Sequence, residues 1–447
     1  MRIAVAQTPG TQLSDWRVTL ARLEHLIAEA AARQAELVVL PECAWPAYYL
    51  ESRKAYDAAR ATGLPAPGVF LDHVRQAARD TGLYLCVGYV EEAQSRLFNS
   101  ACLIDPRGEI LGTHRKCFLW DFDHDYFTTG DRIEPIQTPL GRVGLMICAD
   151  ARLPEIPATL AARGAELILQ PTGWVNAGST AALWNPQPDF LIAARAREFG
   201  IPIASASKWG VEGNTTFVGS SLICDATGQV RTRCSEDRTV VQIANVHLGK
   251  PRPIMLTDAE QHTLRDPDPP KLPSAHTNTV LVLGTHEPGG GRLELSAMGP
   301  GESFTPLATF ATHDGDDERA PCVTARDDFV VVDETCVGTL SAAQLERFAA
   351  ARSLALRGVH LAVVFGIAEP TDTLRARACE NRLFLLGIDK TGWIALAPSG
   401  SVLHASSWRD TGESRRRLIL DLRQAANKCV APQTDVLADR TPEVYAL

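Results

Sequence analysis

Residues 1 to about 249 alternate between short apolar runs and amphipathic stretches. Near the start "RIAVAQ" predicts a strand, and "WRVTLARLEHLIAEAAARQ" repeats its apolar positions every three to four residues, as a helix with one buried face does. "AELVVLPE" predicts a buried strand ending at Glu42. A second helix is expected over "VFLDHVRQAARDTG", followed by strands over "LYLCVGYVEE" and over both arms of "FNSACLIDPRGEILGTHRK", which a Pro-Arg-Gly turn separates. "IQTPLGRVGLMIC" repeats that hairpin form and leaves Cys148 at its end. "EIPATLAARG" and "PDFLIAARAREFG" predict helices on either side of the strand "AELILQP", and "FVGSSLICDATGQVRTRC" predicts a further pair of strands. Helices interleaved with strands and hairpins imply a layered α/β fold in which helices cover a sheet.

The pattern lapses from 250 to 277, where "KPRPIMLTDAEQHTLRDPDPPKLPSAHT" is proline-rich, polar and aperiodic, and a linker is expected. Beyond it, past a loop at "HEPGGG", α/β patterning resumes and contains an internal repeat. "RAREFGIPIASASK", from Arg195 to Lys208, aligns without a gap on "RACENRLFLLGIDK", from Arg377 to Lys390, with Arg, Ala, Glu and Lys at equal spacing. The likeness extends outward, from "GAELILQP" to "GVHLAVVF" upstream and from "SLICDATGQV" to "WIALAPSGSV" downstream. Residues 278–447 therefore read as a smaller, degenerate α/β domain, a diverged copy of the second half of residues 1–249. The copy has no evident active site. In "DDFVVVDETCVG" the strand that would present a nucleophile is read to end at Asp333, with Cys336 three residues later, and neither a matching Lys nor an "LPE" glutamate is found.

Length and composition alter this picture little. A chain of 447 residues is expected to form two or three domains, and 45% hydrophobic with 22% charged residues is a globular profile. A net charge of -9 gives no support for nucleic acid or an anionic membrane as partner. "MRIAVAQTPG" is too short an apolar run for a signal segment, and no later stretch approaches about 18 uninterrupted apolar residues, so a cytoplasmic protein is expected. The 11 cysteines are scattered without Cys-x-x-Cys pairs, which points to neither a disulfide framework nor a zinc site. No metal or other cofactor is expected.

Candidate chemistry gathers at three strand ends, where open α/β sheets place their ligands. They are Glu42 in "VVLPECAWP", Lys116 in "GTHRKCFLWDFD" and Cys148 in "GLMICADARLPE". A thiol with a pKa of about 8.5 is mostly protonated at neutral pH, so an amide-attacking cysteine needs a base and an electropositive surrounding. With 37 Arg and 7 Lys the chain uses Arg as its default cation, so a Lys directly after Arg115 hints that a compact ammonium is required there. In order and separation these motifs resemble the nitrilase superfamily of carbon-nitrogen hydrolases, in its amidase-like branch, over about residues 1–249. The resemblance implies an α-β-β-α sandwich of the four-layer-forming kind and a Glu, Lys, Cys triad. In it Glu42 would be general base and then general acid. Lys116 and the backbone N–H of Ala149 would hold the oxyanion, and Cys148 would be the nucleophile that forms a thioester.

The same resemblance implies an auxiliary carboxylate seven positions before the Gly of a "PGD"-like turn. Here the turn is "TTGD", and the position is Asp123 rather than Glu, with Asp121 and Asp125 as rivals. Nitrilases of this resemblance show Trp and Glu after the nucleophile, where this chain has Ala149 and Asp150. Carbamoylases for free D-amino acids show an Arg three positions after it, where this chain has Ala151. Arg152 and Glu155 match the family's common turn and read as a local ion pair. Trp45, Tyr48, Tyr49, Phe118, Trp120 and Trp174 are candidates to line an apolar acyl pocket. The expected reaction is hydrolysis of a small or mid-sized carboxamide to a carboxylate and ammonia or an amine. N-carbamoyl amide hydrolysis, nitrile hydrolysis and acyl transfer to an acceptor other than water are the enzymatic alternatives, and an inactive binding or regulatory protein of the same fold is the non-enzymatic one. A glutaminase serving a fused synthetase is disfavoured, because the C-terminal region has no Gly-rich phosphate loop and no "SGGxDS"-like motif. Members of the family commonly dimerise sandwich against sandwich, so residues 278–447 are expected to act as a built-in, inactive partner, with further homo-oligomerisation open.

Overall fold

The computed structural model describes residues 1–447 apart from 180–181, 272–278, 288–289, 299–303, 312–328, 333–334 and 408–414. It divides into two units. The first comprises Met1–Ile254, Ala431–Thr434 and Asp439–Leu447, and the second Met255–Val430 and Asp435–Ala438.

In the first unit, β1 (Arg2–Pro9) is buried along six central residues and is followed by α1 (Trp16–Ala32), whose buried face carries Leu23, Leu26, Ile27 and Ala30. Next come β2 (Leu37–Val39), α2 (Arg53–Ala61), α3 (Pro67–Thr81), β3 (Tyr84–Ala93), β4 (Arg96–Ile104), β5 (Ile110–Arg115), β6 (Ile136–Thr138) and β7 (Gly141–Leu145). The remainder is α4 (Glu155–Ala162), β8 (Leu167–Pro171), α5 (Ile192–Phe199), β9 (Ile203–Ala206), β10 (Lys208–Glu212), β11 (Thr215–Val218), β12 (Leu222–Cys224), β13 (Val230–Arg233) and β14 (Val240–Asn245). One sheet runs β11-β10-β1-β2-β3-β4-β5, with β14 also on β1, and a second runs β13-β12-β9-β8-β7-β6. Strands β1 to β3 pack against β8 and β9, helices α1 and α3 lie against the first sheet, and α5 and its neighbour α4 lie against the second. This is an α-β-β-α sandwich. Its inner strands β2 and β8 are buried at every residue, which is why they read as continuous apolar runs. Helix α2 has no sequence signature of this kind, because Tyr56 is its one buried residue; the Ser52 side chain starts it by accepting the Ala55 N–H.

The second unit contains α6 (Asp258–Arg265), β15 (Thr279–Glu287), β16 (Gly290–Met298), β17 (Phe304–Ala311), β18 (Phe329–Val332), β19 (Thr335–Ser341), α7 (Ala342–Leu345), α8 (Phe348–Leu356), β20 (Leu361–Phe365) and α9 (Asp372–Asn381). It continues with β21 (Phe384–Ile388), β22 (Gly392–Leu396), β23 (Val402–Ser407), β24 (Arg415–Asp421), α10 (Arg423–Ala426), β25 (Cys429–Ala431) and β26 (Thr434–Asp435), the last two straddling the division. An antiparallel sheet β17-β16-β15-β24 packs on one face of the sheet β18-β19-β20-β21-β22-β23, whose other face meets α7, α8 and α9. Two expectations need amending. The stretch 250–277 is not linker throughout, because Thr257 and Glu260 form a capping box that starts α6 and Arg347 pairs with Glu260 at 2.8 Å. The unit also begins at Met255 rather than 278, and residues 431–434 and 439–447 belong to the first unit.

The sheet from β18 to β23 has the strand order and directions of β6-β7-β8-β9-β12-β13. A shift of 194 residues takes the pair Val143↔Leu167 to Val337↔Leu361 and the pair Gly144↔Ile168 to Gly338↔Ala362. The register irregularity at Ile223/Cys224 recurs at Ala395/Leu396. The buried Arg195 donates to the carbonyls of Ala151 and Arg152 and to the Glu198 carboxylate, and Arg377 donates in the same way to Leu345, Glu346 and Glu380. In this register Cys148 corresponds to Ala342 at the start of α7. The expected counterpart, a strand end at Asp333, lies outside the described residues. Among the described residues no helix is long and apolar enough to cross a membrane.

Candidate active site

Glu42 follows β2 and its carboxylate is sealed from solvent. One oxygen accepts from Asn99 Nδ2 at 2.7 Å and from Lys116 Nζ at 2.8 Å, and the other accepts the Gly173 N–H at 2.8 Å. Lys116, directly after β5, is equally buried, and its ammonium also donates to Asp123 Oδ2 at 2.6 Å and to the Tyr48 hydroxyl at 3.0 Å. Three acceptors thus face the three protons of one ammonium. Asp123 Oδ2 further accepts the Trp120 N–H at 2.9 Å, while the rival Asp121 is half-buried and Asp125 exposed. The carboxylate one methylene shorter than glutamate still reaches the lysine.

Cys148 opens a 3₁₀ turn, Cys148–Arg152, just past β7, and has φ +44°, a left-handed conformation that costs a non-glycine residue energy and that clusters at functional sites. Its sulfur donates to the Gly173 carbonyl at 3.7 Å, and its own carbonyl accepts from Gln170 Nε2 at 2.9 Å. Gly173 therefore touches Cys148 through its carbonyl and Glu42 through its N–H. A Cβ there would meet Phe217, Tyr48 and Glu42 at 3.2 to 3.4 Å, so glycine fits the crowding. As the second residue of the turn, Ala149 has an N–H with no acceptor inside it. Asp150 braces the whole arrangement. One of its oxygens accepts the N–H groups of Cys117 and Phe118 at 3.1 and 2.9 Å, and the other accepts the Ile147 N–H at 2.8 Å and lies 2.9 Å from His114 Nε2. A single carboxylate thereby ties the residue before Cys148 to the two residues after Lys116.

Burial pushes the Cys148 thiol up to about 12; the Glu42 carboxylate adds to the rise and Lys116 opposes it. Burial also raises Glu42, against the pull of Lys116 and with help from Asp123. Burial alone would lower Lys116, but Asp123 and then Glu42 outweigh it and hold the ammonium charged. The resting arrangement is a neutral thiol beside a carboxylate of increased basicity and a fixed positive charge.

A narrow cleft opens on Cys148, and among the described residues its walls are Trp120, Cys148, Arg152, Val175, Asn185 and Gln187. Trp120 is the one expected pocket aromatic on that wall, with the Arg152 guanidinium 4.6 Å from its ring centre. Trp45 is not at the site: it stacks on Phe70 at 5.0 Å in the core between sheet and helix. Tyr49 meets Phe122 edge-on, Phe118 is sealed beneath the Asp150 brace, and Trp174 is buried with its backbone N–H donating to Ser207 Oγ. Glu155 has the Arg440 guanidinium 4.0 Å away. Reading the sequence missed Asn99, Gly173, Asn185 and Gln187, and assigned Tyr48 to the acyl pocket rather than to the lysine. The aromatic so near Glu42 was the available signal for Tyr48; the others carry none. Among the described residues no group of His, Cys, Asp and Glu side chains is arranged to hold a metal ion.

The carbon-nitrogen hydrolase family profile matches residues 2–254. A protein named nitrilase from Pyrococcus abyssi is 33% identical over 229 residues, covering 51% of this chain and 82% of that one. Omega-amidase NIT2 of Mus musculus is 30% identical over 252 residues, with 54% and 86% covered. An (R)-stereoselective amidase of Pseudomonas sp. is 30% identical over 246 residues, with 54% and 85% covered.

Proposed function

This chain belongs to the carbon-nitrogen hydrolase family and is a carbon-nitrogen hydrolase, and from that premise we propose that it is an amidase acting on small carboxamides through a Cys148 thioester. Glu42 takes the thiol proton as the sulfur attacks the amide carbon. The oxygen of the tetrahedral intermediate receives the Lys116 ammonium and the Ala149 N–H. Glu42 returns its proton to the departing nitrogen, ammonia or an amine leaves, and the thioester remains. Water then attacks with Glu42 again as base, the C–S bond breaks, and the carboxylate is released with the thiol restored.

The observation that carries this reading is the closure of Glu42, Asp123 and Tyr48 on one buried ammonium beside a strained cysteine. Amides are favoured over nitriles by Ala149 and Asp150 after the nucleophile, and two of the relatives above bear amidase names. The test is ammonia release across primary amides, N-carbamoyl compounds and nitriles, with intact-protein mass spectrometry during turnover. An acyl adduct on the wild type that is missing from Cys148→Ala is expected. Turnover without any adduct, or activity retained by Cys148→Ala, overturns the mechanism; activity confined to nitriles or N-carbamoyl compounds moves the substrate class; no turnover at all favours a binding protein.

The same reading takes the second unit as an inactive internal partner descended from the second half of the sandwich. The shared register, the recurring irregularity and the paired Arg195 and Arg377 contacts support the descent, and Ala342 at the nucleophile's position supports the inactivity. A chain cut after residue 249 that sediments as a soluble monomer with full activity would sink the partner role.

A further inference from the structure

Residues 431–434 and 439–447 belong to the first unit although more than 170 residues of other structure separate them from its main body. Their contacts converge on two segments of the active site. Thr434, sealed from solvent, accepts the Asp121 N–H on its hydroxyl oxygen at 2.6 Å, across 313 residues of sequence. Asp121 has φ +41° and stands between Trp120, a wall of the cleft, and the loop that delivers Asp123 to Lys116. Arg440, also buried, brings its guanidinium to 4.0 Å from Glu155, and the Ala446 N–H donates to Thr159 Oγ1 at 3.2 Å. Glu155 and Thr159 are four residues apart, so they share one face of α4, the helix that the Cys148 turn leads into. One stretch of late sequence thus grips both the loop behind Lys116 and the helix behind the nucleophile.

We infer that Thr434 and Arg440 are positioning residues of the Cys148 site, holding the Asp121–Asp123 loop and the start of α4 so that Lys116 and the thiol keep their separation. The inference rests on Cys148 being the nucleophile, but not on the substrate. A left-handed residue in a loop needs its neighbours to hold it, and Thr434 supplies the acceptor for its N–H. Releasing that bond lets Trp120 and Asp123 shift together, which acts on the reaction without removing any group that touches substrate. Misplacements of about 1 Å at such sites cost up to about 100-fold in rate.

The experiment compares the full chain with T434V, T434S, R440M and R440K in three measurements. These are kcat and KM on a primary amide the wild type hydrolyses, the rate of Cys148 alkylation by iodoacetamide, and the thermal midpoint. We expect T434V to lower kcat and the alkylation rate together by about tenfold or more, with KM within about twofold, and T434S to recover most of both. R440M is expected to do the same and R440K to recover part; if T434V fails to fold, this pair carries the test. Wild-type kcat and alkylation in folded T434V and R440M would overturn the inference. So would a lowered midpoint with unchanged kcat in the folded fraction, since that is a structural role alone. Alkylation needs no amide, so the two readings fail separately. A wild type that releases no ammonia, yet whose Cys148 alkylates more slowly in T434V, removes the amidase reading and leaves this one.

Discussion

Replacing Glu42 by Gln tests the proposed base at the centre of the site while keeping its shape. The carboxylate now accepts from three donors: Asn99 and Lys116 on one oxygen and the Gly173 N–H on the other. A Gln side chain has one oxygen and one NH2, and the oxygen is best placed toward Asn99 and Lys116. The NH2 then faces the Gly173 N–H and leaves that donor unsatisfied, at a cost of about 1–3 kcal/mol. At about 2–4 °C per kcal/mol for a unit of this size, the thermal midpoint should fall by about 2–12 °C and the fold should survive. Activity should suffer far more. With the thiol pushed up to about 12, thiolate at pH 8 is about one part in 10⁴, so a site without its base relies on a very small reactive fraction. A general base contributes about 10²–10⁴-fold, and we expect kcat to drop by about 10³-fold or more, a barrier increase of about 4 kcal/mol or more. Removing the Glu42 charge also removes one cause of the raised thiol, so thiolate forms somewhat more easily in the variant. Its residual rate should therefore climb steeply between pH 7 and 10 where the wild type stays flat. Steady-state ammonia release and single-turnover alkylation across that range would measure both effects. A variant that kept more than a tenth of wild-type kcat, or whose rate did not rise with pH, would refute the assignment of Glu42 as the base.

Other consequences follow from the same geometry. Asp123→Asn removes a charge that raises both Glu42 and Lys116, so both limbs of the kcat/KM profile should move to lower pH between 4 and 11; a shift of either limb upward would contradict the cluster. Asp150→Asn cannot accept from all three backbone N–H groups it now serves, so at least one buried N–H loses its partner, and thermal unfolding should register a loss of about 1–3 kcal/mol together with lower kcat. Arg377→Met strips Glu380 of a buried cation at 2.8 Å, and denaturant unfolding should reveal the second unit weakened by about 3–5 kcal/mol.

Much of the candidate site's placement was legible because its side chains sit at strand ends, which the apolar runs locate. Glu42, Lys116 and Cys148 each follow a run that the structure forms as β2, β5 and β7, and the spacing from the "TTGD" turn leads to the carboxylate that meets Lys116. What stayed hidden has two physical causes. Asn99 lies inside β4 between Phe98 and Ser100, and its side chain matters only because β4 runs beside β3 and β5 in the sheet. No local pattern encodes such a cross-sheet contact. Trp45 misled for the opposite reason: its nearness to Glu42 in sequence suggested the pocket, while its ring points into the core and stacks on Phe70. Helix α6 was masked by its flanks. The prolines at 251, 253, 267, 269 and 270 all fall outside Asp258–Arg265, so the composition of the stretch said linker while the Thr257 and Glu260 capping box said helix.

If the second unit is a copy of half the sandwich, what it kept separates folding from chemistry. Arg377 retains each kind of contact that Arg195 makes, two turn carbonyls and a glutamate three residues on. Those carbonyls end a turn that the helix after it buries, and leaving them without donors would cost stability whether or not any reaction takes place. Gly338 likewise keeps its place against Leu354, Ala362 and Val359, as Gly144 does against Leu160 and Ala165. The nucleophile's position holds Ala342, which makes no demand on its surroundings and carries no buried thiol. Cys148, by contrast, is held in a left-handed conformation that contributes nothing to packing. An arginine and a glycine kept where the cysteine is absent is the pattern that a copy selected through packing alone would show. In the first unit the strained cysteine stands with Glu42, Lys116 and Asp123, a buried charge cluster that an apolar set could replace together at little loss of stability but that loses about 3–5 kcal/mol when one member alone is removed.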